Sequence, residues 1–103
     1  MRMWNINPKL LCNKHLIAEH GEIHAMIGNL KKSGTWAKRL TKAGYLEPQN
    51  AKNRHNKLVV EMLRRELNHN SILETDGIKL PIGKVDKTKS IRDLKARCKK
   101  CKV

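Results

Sequence analysis

Three observations predict an all-α fold. The chain has 103 residues, only 3% aromatic and without a single Phe, so its core must be built from Leu, Ile, Val, Met and Ala, which pack well as helices. Apolar residues recur at the helical period in two long stretches. Pro, Gly and Asn/Ser clusters separate those stretches. The expected architecture is one compact helical domain, with two long helices, shorter helices and a basic C-terminal tail. A chain of this length holds one domain and a small core.

The elements follow in order. Residues 1–6 alternate in character and read as a short extended arm. Asn7-Pro8 is a helix start, with Asn as N-cap and Pro at the first helical position. Cys12, Leu16, Ile23, Ile27 and Leu30 then carry a helical period to about Lys32. Ser33-Gly34-Thr35 ends that helix. Trp36 to Tyr45 forms a short basic helix closed by Gly44. Glu47-Pro48 opens the next, and Leu58, Val59, Met62, Leu63 and Leu67 mark an amphipathic helix over roughly 50–67. Asn68-His69-Asn70-Ser71 stops it. Residues 72–83, with Gly77, Pro81 and Gly83, read as irregular coil. A short helix is expected from about Ser90 to Cys98. The organisation is therefore 1–75 as the helical domain and 76–103 as a basic tail, ordered only in part when free.

Charge points to the partner. Lys and Arg number 23 against 9 Asp and Glu, a formal net charge of +14. Lys84 onward carries half of it, with nine Lys or Arg and two Asp. Such a surplus implies a polyanion, most often nucleic acid. A membrane surface fits less well, because no helix joins a basic face to Trp or Leu anchors. No apolar run approaches the roughly 20 residues of a bilayer span, and no secretory segment follows Met1. An intracellular protein is expected, cytoplasmic or nucleoid-associated, cellular or virus-encoded, and monomeric.

Three cysteines, Cys12, Cys98 and Cys101, do not suggest a disulfide framework. Cys98-Lys-Lys-Cys101 is a lone CxxC, and a zinc site would need two more ligands, for which Cys12 or His69 could only be guessed. A pair of free thiols or a terminal half-site is the simpler reading. Cys12 lies on the apolar stripe and reads as core. His20 and His24 are four apart, but the zinc-protease pattern needs Glu directly after the first His and no third ligand is placed. No metal and no cofactor are expected.

The chemistry-bearing pattern is His15, Glu19 and Glu22. Spacings of four and three set them on one helix face, near the chain's start. On spacing alone this is a solvated flank with an ordinary His–Glu pair. Beside an α-amine it can do more. That amine titrates near pH 8, well below lysine, so a useful fraction is a neutral nucleophile toward a sugar C1′. A neighbouring carboxylate can stabilise an oxocarbenium-like centre and move protons.

The run from Trp4 to His24 resembles the amino-terminal signature of the pyrimidine-dimer DNA glycosylase family, of the phage endonuclease V type. Arg54 to Met62, followed by Asn68-His69-Asn70-Ser71, resembles the second motif of its compact cellular members. The resemblance covers about residues 2–30 and 52–73. It implies a helical DNA-repair enzyme that excises damaged bases, UV pyrimidine dimers among them, from double-stranded DNA. The N-terminal amine forms a Schiff base, and β-elimination then nicks the strand. By position, Glu22 takes the essential carboxylate, and Arg2 and His15 take places that contact DNA near the lesion. Glu19 keeps its place in the motif and is counted with the DNA- and lesion-contacting residues, without a chemical role of its own. Arg2 is too bulky for the usual aminopeptidase, so Met1 is expected to stay and to supply the amine. Trp36, Lys38, Arg39, Lys42 and Arg54 are the expected further DNA contacts, while Trp4 reads as a core plug. Gly21 and Ala25 stand where the phage form has arginines at the lesion. Two alternatives therefore stay open, a non-enzymatic nucleic-acid-binding protein on the same fold and an AP lyase without glycosylase activity.

Overall fold

A computed structural model describes residues 2–68 and 72–103. They fold into four α-helices and two single 3-10 turns, with no strand among the described residues. The all-helical expectation holds.

The N-terminal arm is extended and deeply inserted. Met3, Trp4 and Ile6 are all buried, and the Met3 N–H donates to the Tyr45 carbonyl at 2.8 Å. Trp4 is a core residue, as its place in the arm suggests. Asn7 does cap a turn, its Oδ1 accepting from the Lys9 N–H, but only the 3-10 turn Pro8–Leu10. The helix expected from there starts later. Leu11 and Cys12 are extended, which lets Leu11 drop into the core, and Cys12 becomes the N-cap of α1, Asn13–Leu30. Gly34, at φ 69°, turns the chain out of α1, its N–H donating to the Asn29 carbonyl. The Asn29 side chain then accepts from the Ala37 N–H at 3.0 Å and docks α2, Thr35–Lys42, against the end of α1.

Pro48–Asn50 forms a 3-10 turn that runs into α3, Ala51–Arg64. Leu58 and Met62 of α3 share one core with Leu16, Ile23, Met26 and Ile27 of α1. The stop expected at Asn68–Ser71 falls largely outside the described residues. Residues 72–83 hold no helix, and α4 spans Lys87–Arg97 behind an Asp86 cap.

The segment after residue 75 is more than a solvated tail. Val85, Leu94 and Cys101 are buried within the same core cluster as the arm. Gln49 exchanges two hydrogen bonds with the Gly83 backbone, and the Lys102 N–H donates to the Leu10 carbonyl at 2.7 Å. The physical reason is apolar burial: Leu94 and Val85 supply core surface that a charge count does not reveal. The radius of gyration, 13.2 Å, is close to the ~13 Å of a compact domain of this length.

Candidate active site at the amino terminus

Glu22 sits just past the middle of α1 and reaches the arm. Its Oε2 accepts the Arg2 main-chain N–H at 3.0 Å. The carboxylate is thus anchored one peptide unit from residue 1, and Met1 itself lies outside the described residues. The Arg2 side chain runs inward and is buried. Its Nη1 donates to Asp93 Oδ2 of α4 at 2.9 Å. Its guanidinium lies 4.1 Å from the Trp4 ring centre and 5.0 Å from that of Tyr45, a stack that supplies cation–π attraction. The Arg2 hydrogen bond holds the Asp93 carboxyl below the usual carboxylate range. Arm, α1, the loop at Tyr45 and α4 therefore converge on one residue, the neighbour of the chain's first. Sequence reasoning missed Asp93 and Tyr45; the available signal was an acid standing in an otherwise basic segment.

The His15-Glu19-Glu22 stripe divides into three environments. Glu19 is fully buried and pairs with Arg54 of α3, through Nε–Oε2 at 2.5 Å and Nη2–Oε1 at 2.9 Å. Arg54 Nη1 also donates to the Ile6 carbonyl. The DNA contacts expected of Glu19 and Arg54 are thereby corrected. Both charges lie inside the fold and neutralise each other there, because a buried ion must be paired and hydrogen-bonded. Arg2 is corrected similarly: its guanidinium is spent on Asp93 and two aromatic rings rather than held at the surface, although its Nε has no protein acceptor.

His15 has a different set of neighbours. Its Nδ1 is 3.2 Å from Cys12 Sγ and 3.6 Å from Cys101 Sγ, and its ring meets Trp4 edge-on at 5.9 Å. Cys12 is half-buried at the helix start rather than plain core, and its sulfur lies 3.8 Å from Cys98 Sγ. Burial pushes the Cys101 thiol up to about 12. On another face of α1, His20 and His24 meet a partner that the sequence did not place. His55 of α3 brings its Nε2 to 3.1 Å from each of their Nε2 atoms.

A sequence profile described as pyrimidine dimer DNA glycosylase matches residues 1–75. The chain belongs to this family. No curated protein and no solved structure matches it. The pyrimidine dimer DNA glycosylase family is one of DNA-repair enzymes, and its substrate is DNA. The surface suits that polyanion: Lys38, Arg39 and Lys42 are all exposed on α2, with Trp36 half-buried against the core. A second basic hollow is lined by Lys14, His15, Arg97, Lys99 and Lys100. No helix among the described residues is long and apolar enough to cross a membrane.

Proposed function

We propose that this member of the family is a DNA glycosylase with AP lyase activity, acting as a monomer on damaged double-stranded DNA and using the Met1 α-amine as nucleophile. The lesion nucleotide must leave the stack, or the duplex must bend, and both cost least at a damaged step. The amine attacks C1′. The N-glycosidic bond breaks, its electron pair leaves with the base, and the base is protonated. Loss of a proton from the amine and opening of the sugar ring give an imine. Removal of a C2′ proton then expels the 3′ phosphate oxygen and nicks the strand. Glu22 stabilises the positive charge developing at C1′ and carries the protons.

The observation that supports this reading most is the hydrogen bond from the Arg2 N–H to Glu22. It ties Glu22, the carboxylate of the His15-Glu19-Glu22 stripe that Arg54 does not neutralise, to the start of the chain. His15, Trp36, Lys38, Arg39 and Lys42 are the proposed contacts to lesion and backbone.

Borohydride trapping on UV-irradiated, abasic and undamaged duplexes tests the proposal. Covalent adducts on both damaged substrates are expected. Adducts on abasic DNA alone would leave a lyase; adducts on neither would leave a binding protein, the outcome that Gly21 and Ala25 favour. Intact mass should show Met1 with a free amine, and acetylating that amine should abolish trapping. Glu22→Gln should abolish turnover with little loss of DNA binding; equal loss of both would mean that Glu22 is only structural.

A further inference from the structure

We infer that Cys12, His15, Cys98 and Cys101 form a tetrahedral zinc site that fastens the last helix to the first.

The four residues form two half-sites of identical spacing, Cys-x2-His at the start of α1 and Cys-x2-Cys after α4. They are far apart in sequence, yet their four ligand atoms all lie within 4.8 Å of one another. Zinc holds thiolate sulfur at about 2.3 Å and imidazole nitrogen at about 2.0–2.1 Å. A regular tetrahedron with those bonds has S···S edges of about 3.8 Å and S···N edges of about 3.6 Å. Cys12 and Cys98 are 3.8 Å apart, and Cys101 lies 3.6 Å from His15 Nδ1. The remaining short edge, Cys12 to His15, is 3.2 Å. All three cysteines are free, so no disulfide explains the approach. Ligand atoms this close surround one ion; an iron–sulfur cluster would spread its thiolates over separate irons.

The start of α1 favours a thiolate at Cys12. Cys12 caps α1, where the helix end presents positive charge. Its sulfur accepts the His15 N–H at 3.5 Å, and Cys101 Sγ accepts the Cys12 N–H at 3.2 Å. Such N–H···S bonds are the outer support that orients metal ligands. A zinc ion with three thiolates and a neutral imidazole carries one net negative charge, and the hollow above it is lined by Lys14, Arg97, Lys99 and Lys100. Binding releases three protons from the thiols to solvent. It leaves His15 Nε2 outside the coordination shell. The set is closed, with four protein ligands and no open position, so its role is structural rather than catalytic.

What the ion would hold in place is α4. That helix carries Asp93, the partner of Arg2, so the zinc site and the amino-terminal site share one element.

The test uses the full chain, reduced and reconstituted with zinc alone. Metal analysis should find zinc in the reduced chain, falling by one ion per chain in both Cys98→Ser and Cys101→Ser. The cobalt form of the unmutated chain should show a tetrahedral visible spectrum and thiolate-to-cobalt charge transfer, so the result does not depend on a variant that folds. The three thiols should resist alkylation until a chelator is added, and the chelator should lower Tm. Failure of the reduced chain to bind zinc, or a cobalt spectrum without thiolate bands, would overturn the inference. So would zinc that both cysteine variants retain but His55→Ala loses, since His20, His24 and His55 would then be the site.

Discussion

Replacing Arg54 with Met should unfold the protein at a temperature far below that of the unmutated chain. Arg54 is 6% exposed and Glu19 is not exposed at all. The substitution keeps much of the side chain's length and deletes three hydrogen bonds, two to Glu19 and one to the Ile6 carbonyl. It leaves a carboxylate in the core without its cation. Removing one partner of a buried pair costs about 3–5 kcal/mol. A domain of this size has roughly 5–15 kcal/mol of stability and loses about 4–8 °C of Tm per kcal/mol. A fall of roughly 12–40 °C is expected by thermal denaturation followed by circular dichroism. The double variant Glu19→Met/Arg54→Met should recover much of it, because two apolar side chains of similar volume remove the unpaired charge along with its partner. A single-variant loss under about 1 kcal/mol would mean that water reaches the pair, and the reasoning would fail. DNA binding adds an independent check. Measured well below Tm, Arg54→Met should keep the salt dependence of DNA affinity; a slope smaller by about one unit would place Arg54 on a phosphate after all.

Three other outcomes are expected. Lys38→Ala, Arg39→Ala and Lys42→Ala, exposed on α2, should each weaken DNA binding and flatten its log–log salt dependence by about 0.9 if each meets one phosphate; unchanged slopes in all three would move the DNA to another face. Asp93→Asn should lower turnover more than DNA affinity by freeing Arg2, and the arm should then show faster amide exchange at Met3; normal kinetics would dismiss α4 as a support for the site. Arg64 and Arg65 hold the Glu61 carboxyl down, from an ordinary 4.5 to about 2. Glu61 therefore contributes stability above pH 4.5 that is lost as pH falls toward 2. In Glu61→Gln the urea midpoint should fall less over that interval than in the unmutated chain, and parallel curves would refute the assignment.

The fold was legible wherever local chemistry decides it. Apolar period placed both long helices, and Gly34 and Gly44 marked the ends of α1 and α2. The start of α1 was not legible, since Asn7-Pro8 is a sound cap signal that here closes only a 3-10 turn. What overrode it was the burial of Leu11, a tertiary effect. The site was legible in part. Position near the chain start singled out Glu22, but the stripe could not say that Glu19 points into the core, because an acid is buried only when a cation arrives from elsewhere in the chain. Arg54, 35 residues away, is that cation. The same limit hid the cysteine–histidine cluster and the meeting of His55 with His20 and His24. Each depends on residues that approach only when distant elements dock, and composition has no means of recording such an approach. Charge counting read residues 76–103 incompletely for the opposite reason: ten cations obscured Val85, Leu94 and Cys101, which bind that segment to the core.

The Arg2–Asp93 contact has a bearing on synthesis. The two residues are 91 positions apart, so a ribosome adds Arg2 long before Asp93. While α4 is still being made, Arg2 has no counter-ion to draw its guanidinium inward between Trp4 and Tyr45. Contacts of such sequence separation also form late in folding, because a long loop must close first. The Arg2–Asp93 contact is therefore expected among the late ones, and a nascent chain still short of α4 would lack the counter-ion that draws Arg2 inward.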